Sequence, residues 1–217
     1  GKFMIENFIE SSKYAQNLFK IENEIIQDIK KESLEQNVPI ITDEVLKYMI
    51  FTARNIKAQN ILEIGTAIGY SGLFLAQIAN ENGGFLTTME IDEIRYGKAV
   101  ENFKKLGLFE KNKMVFGDAL EEIPKLDKNV KYDFIFIDAS KGQYLKFFEM
   151  SYKFLNENGI IFIDNLMFRG LVAVDKEEIP KRYKTIVKRL KEFIEKLNEE
   201  YNFVLLPFGD GVGIVKK

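Results

Sequence analysis

The sequence contains no cysteine and no histidine in its 217 residues. Without cysteine the chain can form no disulfide, no thiolate metal site and no cysteine nucleophile. Without histidine it lacks the commonest general base and the commonest protein ligand of transition metals. Any metal ion must therefore be bound by oxygen atoms, and any general base must be a lysine, an aspartate, a glutamate or a tyrosine.

Long apolar runs and an excess of one charge are also missing. No stretch is apolar for long enough to span a bilayer, and the first residues do not resemble a signal peptide, so we expect a cytoplasmic protein with no membrane partner. The 31 basic and 33 acidic residues give a net charge of −2, which does not draw the whole molecule toward nucleic acid or membranes. The length fits one domain, residues 1–217, with a sizeable core.

Short apolar segments alternate with segments of helical periodicity along most of the chain. The apolar segments predict seven strands, at Ile61–Ile64, Phe85–Glu90, Met114–Phe116, Tyr132–Ile137, Gly159–Ile163, Phe203–Leu206 and Val212–Val215. Helices are predicted between them, at about Ser71–Ala79, Glu93–Leu106, Gln143–Leu155 and Pro180–Glu200. This alternation predicts parallel βαβ units and therefore a Rossmann-like, doubly wound α/β sheet with helices on both faces. The short turn at Gly209–Gly211 predicts an antiparallel hairpin at one edge of the sheet.

The N-terminal part of the chain is predicted to be helical. Apolar residues recur at helical spacing from about Ile5 to Lys31, which indicates one or two amphipathic helices. Thr42 is predicted to cap a further helix that ends near Ile56. We expect these helices, about residues 5–57, to form a lid or a dimer surface on a catalytic core of about residues 58–217.

The most informative motif runs from Asn60 to Ser71 and is interpreted as a strand, a glycine-bearing loop and the start of a helix. Such a segment usually binds a nucleotide-like ligand at the carboxyl end of the strand. A dinucleotide site needs glycine at the first, third and sixth loop positions. Counted from Gly65, the third and sixth positions are Ala67 and Tyr70, so this ligand is disfavoured.

A phosphate ligand is disfavoured as well, because the loop lacks the Gly-Lys-Ser/Thr ending of a P-loop. Glu63 at the end of the strand would repel phosphate, whereas it suits a ligand that carries an amine or a sulfonium. The loop therefore favours S-adenosylmethionine. The alternative is an ordinary strand-to-helix turn without a ligand.

An acidic residue stands at the end of each of the first five predicted strands: Glu63, Glu90, Asp118, Asp138 and Asp164. Because ligands of such sheets bind beyond the carboxyl ends of the strands, these acids are predicted to surround one site. Glu90 is placed to accept hydrogen bonds from ribose hydroxyls. Asp118 and Ala119 are placed beside the adenine, although a helix N-cap is an equally good interpretation of Asp118.

Asp138, Asp164 and Asn165 form a second group of polar residues. The strands before them are predicted to be neighbours, and two carboxylates with one amide suit a hard cation such as Mg²⁺. Lys141 lies one turn beyond Asp138 and should face the same site, although a surface lysine is the simpler interpretation of that residue alone. The cation would bind two adjacent oxygens of a substrate, and Lys141 would take a proton from a hydroxyl that then attacks the sulfonium methyl group.

These motifs resemble those of the cation-dependent class I O-methyltransferases, the family that includes the catechol and caffeoyl-CoA enzymes. The resemblance extends over nearly the whole chain and rests on Glu63–Thr66, Gly69–Ser71, Met89–Asp92, Gly117–Ala119, Phe136–Lys141 and Asp164–Asn165. It implies a site for S-adenosylmethionine formed by Val38 in a lid segment, Glu63, Gly65, Thr66, Ser71, Glu90, Asp118, Ala119 and Asp138. It also implies that Asp138, Asp164 and Asn165 are the metal ligands and that Lys141 is the catalytic base.

The substrate is left open between an RNA and a small molecule. Several segments are similar to those of bacterial tRNA 5-hydroxyuridine methyltransferases, namely Phe136–Tyr144, Asp164–Gly170, Arg182–Thr185 and Gly209–Gly211. The resemblance therefore implies methylation of wobble 5-hydroxyuridine to 5-methoxyuridine, with the 5-hydroxyl and 4-carbonyl as vicinal oxygens. A catechol or a phenylpropanoid-CoA ester is the alternative. A cofactor-binding protein without activity is disfavoured because the metal ligands and the base are all present. The resemblance to the bacterial members of the family also implies a homodimer.

Basic residues cluster on one predicted helix near a long loop: Lys181, Arg182, Lys184, Lys188, Arg189 and Lys191. They are interpreted either as a strip that faces RNA phosphates or as a solvated helix face interleaved with Glu192 and Glu195. The slightly negative net charge argues mildly against RNA. Phe168 and Arg169 on the loop are predicted to lie at the mouth of the substrate site.

Overall fold

The computed structural model describes the backbone of residues 1–217 and every side chain except those of Lys2, Phe3 and Ile5. The predicted apolar position Ile5 therefore lies outside the described side chains. The strands of the described backbone are β1 Asn60–Ile64, β2 Phe85–Glu90, β3 Lys113–Phe116, β4 Tyr132–Asp138, β5 Leu155–Asp164, β6 Asn202–Leu206 and β7 Val212–Lys216. They form one seven-stranded sheet in the order β3-β2-β1-β4-β5-β7-β6.

Strands β1 to β5 pair in parallel, and β7 runs antiparallel between β5 and β6. The predicted mostly parallel sheet with an antiparallel C-terminal pair is confirmed. The outermost strand on that side is β6 rather than β7, because β7 pairs with both of its neighbours. This order brings the carboxyl ends of β1, β2, β4 and β5 to one edge of the sheet.

The α-helices alternate with the strands as predicted and cover both faces of the sheet. They are α1 Lys2–Asn17, α2 Glu24–Glu35, α3 Asp43–Asn55, α4 Tyr70–Glu81, α5 Glu93–Lys105, α6 Ala119–Glu122, α7 Tyr144–Tyr152 and α8 Lys184–Glu200. The short α6 has no counterpart in the prediction. The helix predicted from Pro180 begins at Lys184, because a 3₁₀ turn over Lys181–Tyr183 comes first.

Alternation along the central strand β4 separates two hydrophobic cores. Phe134 and Phe136 pack with α2, α3 and α4 on one face, and Ile135 and Ile137 pack with α7 and α8 on the other. With both faces covered, the buried polar groups of the sheet are concentrated at the carboxyl edge. None of the helices in the described part of the chain has the length and apolar composition needed to cross a bilayer.

Candidate active site

A cavity of about 510 Å³ opens beyond the carboxyl ends of the strands. The predicted site residues that line it are Gly65, Thr66, Ser71, Asp138, Lys141, Asp164, Asn165, Phe168 and Arg169. The remaining predicted residues lie outside the lining, namely Val38, Glu63, Glu90, Asp118 and Ala119. The structure therefore brings most of the predicted site residues together in the lining of one cavity, and the other five are not part of that lining.

Glu63 ends up underneath the first loop rather than in the cavity. Its side chain is 0% exposed, and its two carboxylate oxygens accept hydrogen bonds from the hydroxyls of Ser71 (2.6 Å) and Thr88 (2.7 Å). Burial raises the pKa of Glu63 to about 7, against the lowering effect of these two hydrogen bonds. Glu63 therefore lies beneath the loop between β1 and α4, bound to Ser71 and Thr88. Of these two hydroxyl residues, Ser71 lines the cavity and Thr88 does not.

Glu90 supports the same loop from the side. One carboxylate oxygen accepts a hydrogen bond from the backbone N–H of Ala67 (2.7 Å), and the other accepts from that of Asp92 (3.0 Å). Gly65 and Thr66 both donate backbone hydrogen bonds to the carbonyl of Met89 (2.9 and 3.0 Å). These bonds fix the loop between β1 and α4 before any ligand binds.

The residues assigned to the adenine end have a local structural role. Asp118 is the N-cap of α6, and its carboxylate accepts a hydrogen bond from the backbone N–H of Leu120 (2.9 Å). Ala119 is the buried first residue of that helix. The N-cap interpretation thus describes Asp118 in this structure. Val38 packs against the core, whereas the next three residues, Pro39–Ile41, line the cavity.

Asp138 and Asp164 are directly opposite each other at the ends of the paired strands β4 and β5. Asp138 Oδ1 accepts hydrogen bonds from the backbone and hydroxyl of Ser140 (2.9 and 2.7 Å) and from the amide of Asn165 (2.9 Å). Asp164 is only 5% exposed and accepts a hydrogen bond from the backbone N–H of Asn165 (2.8 Å). Asp138, Asp164 and Asn165 therefore lie together at this end of the sheet.

The electrostatic surroundings of Asp138, Asp164 and Asn165, which we call the acidic corner, favour a bound cation. Burial, and next the neighbouring carboxylate of Asp138, raise the pKa of Asp164 to about 7. The carboxylates of Asp210 and Glu44 act in the same direction. A divalent cation would remove this repulsion, and two carboxylates with an amide oxygen are a suitable donor set for Mg²⁺. Among the described residues, no three histidine, cysteine or acidic side chains are grouped so that they could hold a metal ion.

Two acids in this corner were missed by the sequence interpretation. Asp210 lines the cavity from the turn between β6 and β7, and the sequence interpretation of Gly209–Gly211 gave Asp210 no role in the site. Glu44 lies in the first turn of α3, and one of its carboxylate oxygens is buried without a hydrogen-bond partner among the described atoms. Neither residue follows a parallel strand, so the strand-end argument could not identify them.

Lys141 ends a 3₁₀ turn that begins directly after β4. Gly65, in the left-handed region with φ +99°, leaves room for the lysine stem: a Cβ at Gly65 would lie 3.4 Å from Lys141 Cε. Lys141 lines the cavity together with Asp138 and Asp164. Its stem therefore lies against the loop between β1 and α4.

The loop after β5 forms the mouth of the cavity. Asn165, Phe168 and Arg169 all have positive φ (64°, 46° and 57°), which is uncommon for residues other than glycine. Backbone hydrogen bonds hold this loop in place: Leu166 donates to Gly211 (3.1 Å) and Met167 donates to Asp210 (2.8 Å). Strained backbone of this kind is concentrated at functional sites.

An aromatic and cationic group stands at this mouth. The rings of Phe168 and Tyr183 are in edge contact at 5.2 Å, and Arg169 Nη1 donates to the hydroxyl of Tyr183 at 3.3 Å. The guanidinium of Arg182 lies 4.7 Å from the same ring. The hydrogen bond from Arg169, and then the charge of Arg182, hold the pKa of Tyr183 below its usual value.

Comparison with known proteins assigns the chain to one family. A profile described as O-methyltransferase matches residues 11–217. The chain is 27% identical over 213 residues to the caffeoyl-CoA O-methyltransferase of Medicago sativa, covering 93% of this chain and 85% of that protein. It is 29% identical over 207 residues to tapetum-specific methyltransferase 1 of Arabidopsis thaliana, covering 90% and 87%.

Solved structures agree with this result. A candidate caffeoyl-CoA O-methyltransferase from Staphylococcus aureus superposes with a TM-score of 0.87 at 30% identity, covering 95% of this chain and 99% of that one. The SAH-bound methyltransferase PaMTH1 of Podospora anserina has a TM-score of 0.83 at 26% identity, covering 97% and 94%. The resemblance to caffeoyl-CoA-type O-methyltransferases is confirmed, and the chain belongs to the O-methyltransferase family.

Proposed function

We propose that this O-methyltransferase transfers the methyl group of S-adenosylmethionine to one of two adjacent oxygens on a catechol or a phenylpropanoid-CoA ester, with a divalent cation bound in the acidic corner. The observation that carries the proposal is the pairing of half-buried Asp138 with buried Asp164 beside Asn165 and Lys141. The caffeoyl-CoA relatives support the small acceptor, and the SAH-bound neighbour supports the cofactor.

The cofactor would lie along the first loop. Gly65, Thr66 and Ser71 line the cavity there, and the Pro39–Ile41 segment faces them from the lid side, next to the predicted lid residue Val38. Glu90 would receive the ribose, because each of its oxygens accepts only one protein hydrogen bond and retains capacity for a second. When bound, S-adenosylmethionine supplies the methyl group as a sulfonium substituent.

Asp138, Asp164 and the amide oxygen of Asn165 would bind the cation. When bound, a divalent cation such as Mg²⁺ lowers the pKa of an acceptor hydroxyl. Ser140 and Asn165 orient the Asp138 carboxylate through hydrogen bonds. The Lys141 amine would then accept the hydroxyl proton, and Phe168 and Arg169 would contact the acceptor ring at the mouth. Positioning of this kind accounts for much of the rate of such transfers.

A second acceptor, tRNA 5-hydroxyuridine, is favoured by the cations at the mouth. Arg169 and Arg182 both contact Tyr183, and neither forms an ion pair with an acid among the described side chains. Two guanidinium groups without acidic partners suit a phosphate near the acceptor ring. The methylated product would be 5-methoxyuridine.

The N-terminal helices would act as the lid or as a homodimer surface. Helix α1 exposes Met4, Phe8, Ile9 and Tyr14, and the next residue after the helix, Leu18, is also exposed. A second cavity of about 690 Å³ lies between α1 and the turn Pro207–Asp210, and it shares Arg169 and Asp210 with the first. Light scattering on the wild type and on Phe8→Glu tests this role. A dimer that persists in Phe8→Glu would remove this face from the interface.

The decisive assay is transfer of a labelled methyl group from S-adenosylmethionine with Mg²⁺, in parallel, to a catechol and caffeoyl-CoA panel and to tRNA that carries 5-hydroxyuridine. Label in the small molecules that disappears with EDTA is the expected result. Label only in tRNA would replace the first acceptor by the second. Transfer that resists EDTA would contradict the cation.

A further inference from the structure

Four lysines surround a groove on α8 that lies apart from the reaction cavity. The groove has a volume of about 390 Å³, and its lysines are Lys176, Lys184, Lys188 and Lys191. Ile179 and Val187 are the buried apolar residues of its lining. The basic cluster noted in the sequence is therefore divided: Arg189 lines a different groove, together with Tyr144 and Phe193.

The lysines of this groove have suitable acids nearby and do not pair with them. Glu192 and Glu195 line the same groove, at helical spacing i+4 from Lys188 and Lys191. Such pairs normally stabilise a helix, yet none of the ion pairs found among the described side chains involves these lysines. On the same helix, Lys196 pairs with Glu149 (3.0 Å) and with Glu200 (3.9 Å).

The position on the helix makes these charges more unfavourable still. Lys184 is the first residue of α8, Lys181 and Arg182 precede it in the 3₁₀ turn, and the first turn contains no acid. The positive end of the helix dipole therefore meets positive side chains, which is electrostatically unfavourable. Lys184 and Lys188 also repel each other at i, i+4. A bound anion would relieve all of these interactions.

The arrangement suits a row of anions rather than one. Lys184 and Lys191 are separated by about 10 Å along the helix axis, from a rise of about 1.5 Å per residue. Directly before Lys184, Arg182 contacts Tyr183, and Tyr183 accepts a hydrogen bond from Arg169 at the cavity mouth. Lys184 of the groove is thus the neighbour in the chain of Tyr183, which binds two cations at the cavity mouth, on a protein whose net charge is −2.

We propose that the groove formed by Lys176, Lys184, Lys188 and Lys191 binds the phosphate backbone of an RNA strand whose modified base enters the reaction cavity. This inference rests on the RNA candidate of the proposed function. The four lysines hold successive phosphates, and Arg182 with Arg169 continues the contact toward the methylated base. Because phosphate contacts act by releasing counterions, the groove controls affinity and its dependence on salt.

The test is the binding of a fluorescein-labelled tRNA, measured by anisotropy at several concentrations between about 50 and 300 mM potassium chloride. The variant is Lys184→Ala/Lys188→Ala/Lys191→Ala. The matched control, Lys13→Ala/Lys105→Ala/Lys125→Ala, removes the same charge at exposed lysines that are paired in the structure. The groove variant should bind the tRNA about tenfold more weakly. The slope of log binding constant against log salt concentration should be less steep by about 2, because three phosphate contacts are lost.

Equal weakening in both triple variants, or no binding of tRNA by the wild type at the lowest salt, would overturn the proposal. Displacement of the tRNA by free coenzyme A would also overturn it, because the groove would then belong to a small phosphate ligand. Methyl transfer to a catechol by the same proteins is measured in parallel. Its presence in both triple variants separates a failure of the RNA groove from a failure of the proposed methyl transfer.

Discussion

Two pairs of acidic residues lie at the same carboxyl edge of the sheet, but their hydrogen bonding and neighbouring charges differ. Glu63 and Glu90 lie at the carboxyl ends of β1 and β2, and all four of their carboxylate oxygens accept hydrogen bonds from the protein. Asp138 and Asp164 lie at the ends of β4 and β5 and also accept four hydrogen bonds, but only through Oδ1 of each carboxylate, and Asp164 has more negative neighbours. The first pair completes a loop, whereas the second pair requires a cation from outside.

This difference shows how one edge can serve two purposes. Carboxylates satisfied by protein donors make the first loop rigid before the cofactor arrives, which lowers the ordering cost of binding. Two carboxylates held close together repel each other, and a bound cation removes this repulsion. The comparison predicts that substitutions in the first pair alter stability, while substitutions in the second pair alter activity and the response to cations.

The largest effect is expected at Lys141, which lies between the two pairs. Lys141→Met should lower kcat by about 10²–10⁴-fold, because it removes the group that accepts the hydroxyl proton. Affinity for S-adenosylmethionine, measured by calorimetry, should be nearly unchanged. Lys153→Met, on the exposed residue after α7, is the control. A loss of cofactor affinity as large as the loss in kcat would contradict the assignment of Lys141 as a base.

The second pair is tested by Asp164→Asn. This variant should lose turnover and should no longer be stabilised by Mg²⁺ in thermal unfolding. Without the cation it should be more stable than the wild type by about 1 kcal/mol, or about 2–4 °C in Tm, since the repulsion with Asp138 is gone. A variant that is less stable without the cation would contradict the stored repulsion.

The first pair is tested by Glu63→Ala. The half-buried hydroxyl of Ser71 and the buried hydroxyl of Thr88 would lose their acceptor, and a cavity would form beneath α4. We expect a loss of about 2–4 kcal/mol in the free energy of unfolding, measured with urea. Asp138→Ala serves as the comparison and should cost clearly less. Similar losses for the two variants would abolish the distinction between the pairs.

The pH dependence of stability is tested by Glu63→Gln. The folded protein retains the Glu63 proton up to about pH 7, whereas the unfolded chain releases it near the ordinary value of 4.5. The folded state therefore binds more protons in this interval, and its stability falls as the pH rises from 4.5 to 7. Glu63→Gln should flatten this part of the profile in urea unfolding at a series of pH values. An unchanged difference between wild type and variant across the interval would disprove the raised pKa.

The smallest effect is expected at Asp118. Asp118→Asn preserves the cap of α6 and should leave stability within about 0.5 kcal/mol. Asp118→Ala should cost about 1 kcal/mol. If Asp118 also contacts the adenine, Asp118→Asn will weaken S-adenosylmethionine binding in calorimetry while the melting temperature stays constant.

Much of this architecture could be predicted because its signals are local. β2 was predicted with its observed bounds, since buried residues run continuously between a Gly83-Gly84 turn and Glu90. The meeting of Asp138 and Asp164 followed from topology alone, because parallel neighbours share a carboxyl edge. Each of these predictions depends on residues close in sequence or on a general rule of sheet connection.

What could not be predicted depends on distant partners. The burial of Glu63 beneath the loop requires Thr88, which is 25 residues away in the chain. Asp210 approaches Asp164 only because β7 inserts between β5 and β6. The left-handed residues Phe168 and Arg169 carry no local signal, since neither is a glycine or an asparagine. Their conformation is imposed by the hairpin on which the loop rests.

That support links the choice of acceptor to the last strands of the sheet. The mouth loop donates two backbone hydrogen bonds to the turn at Asp210 and Gly211. Gly211, at φ +82°, has no room for a side chain, because a Cβ there would overlap Met167. The opening is therefore shaped by residues that touch no ligand. A change in the shape of this opening therefore requires matched changes in the mouth loop and the hairpin, so the C-terminal turn is the place to begin redesigning selectivity.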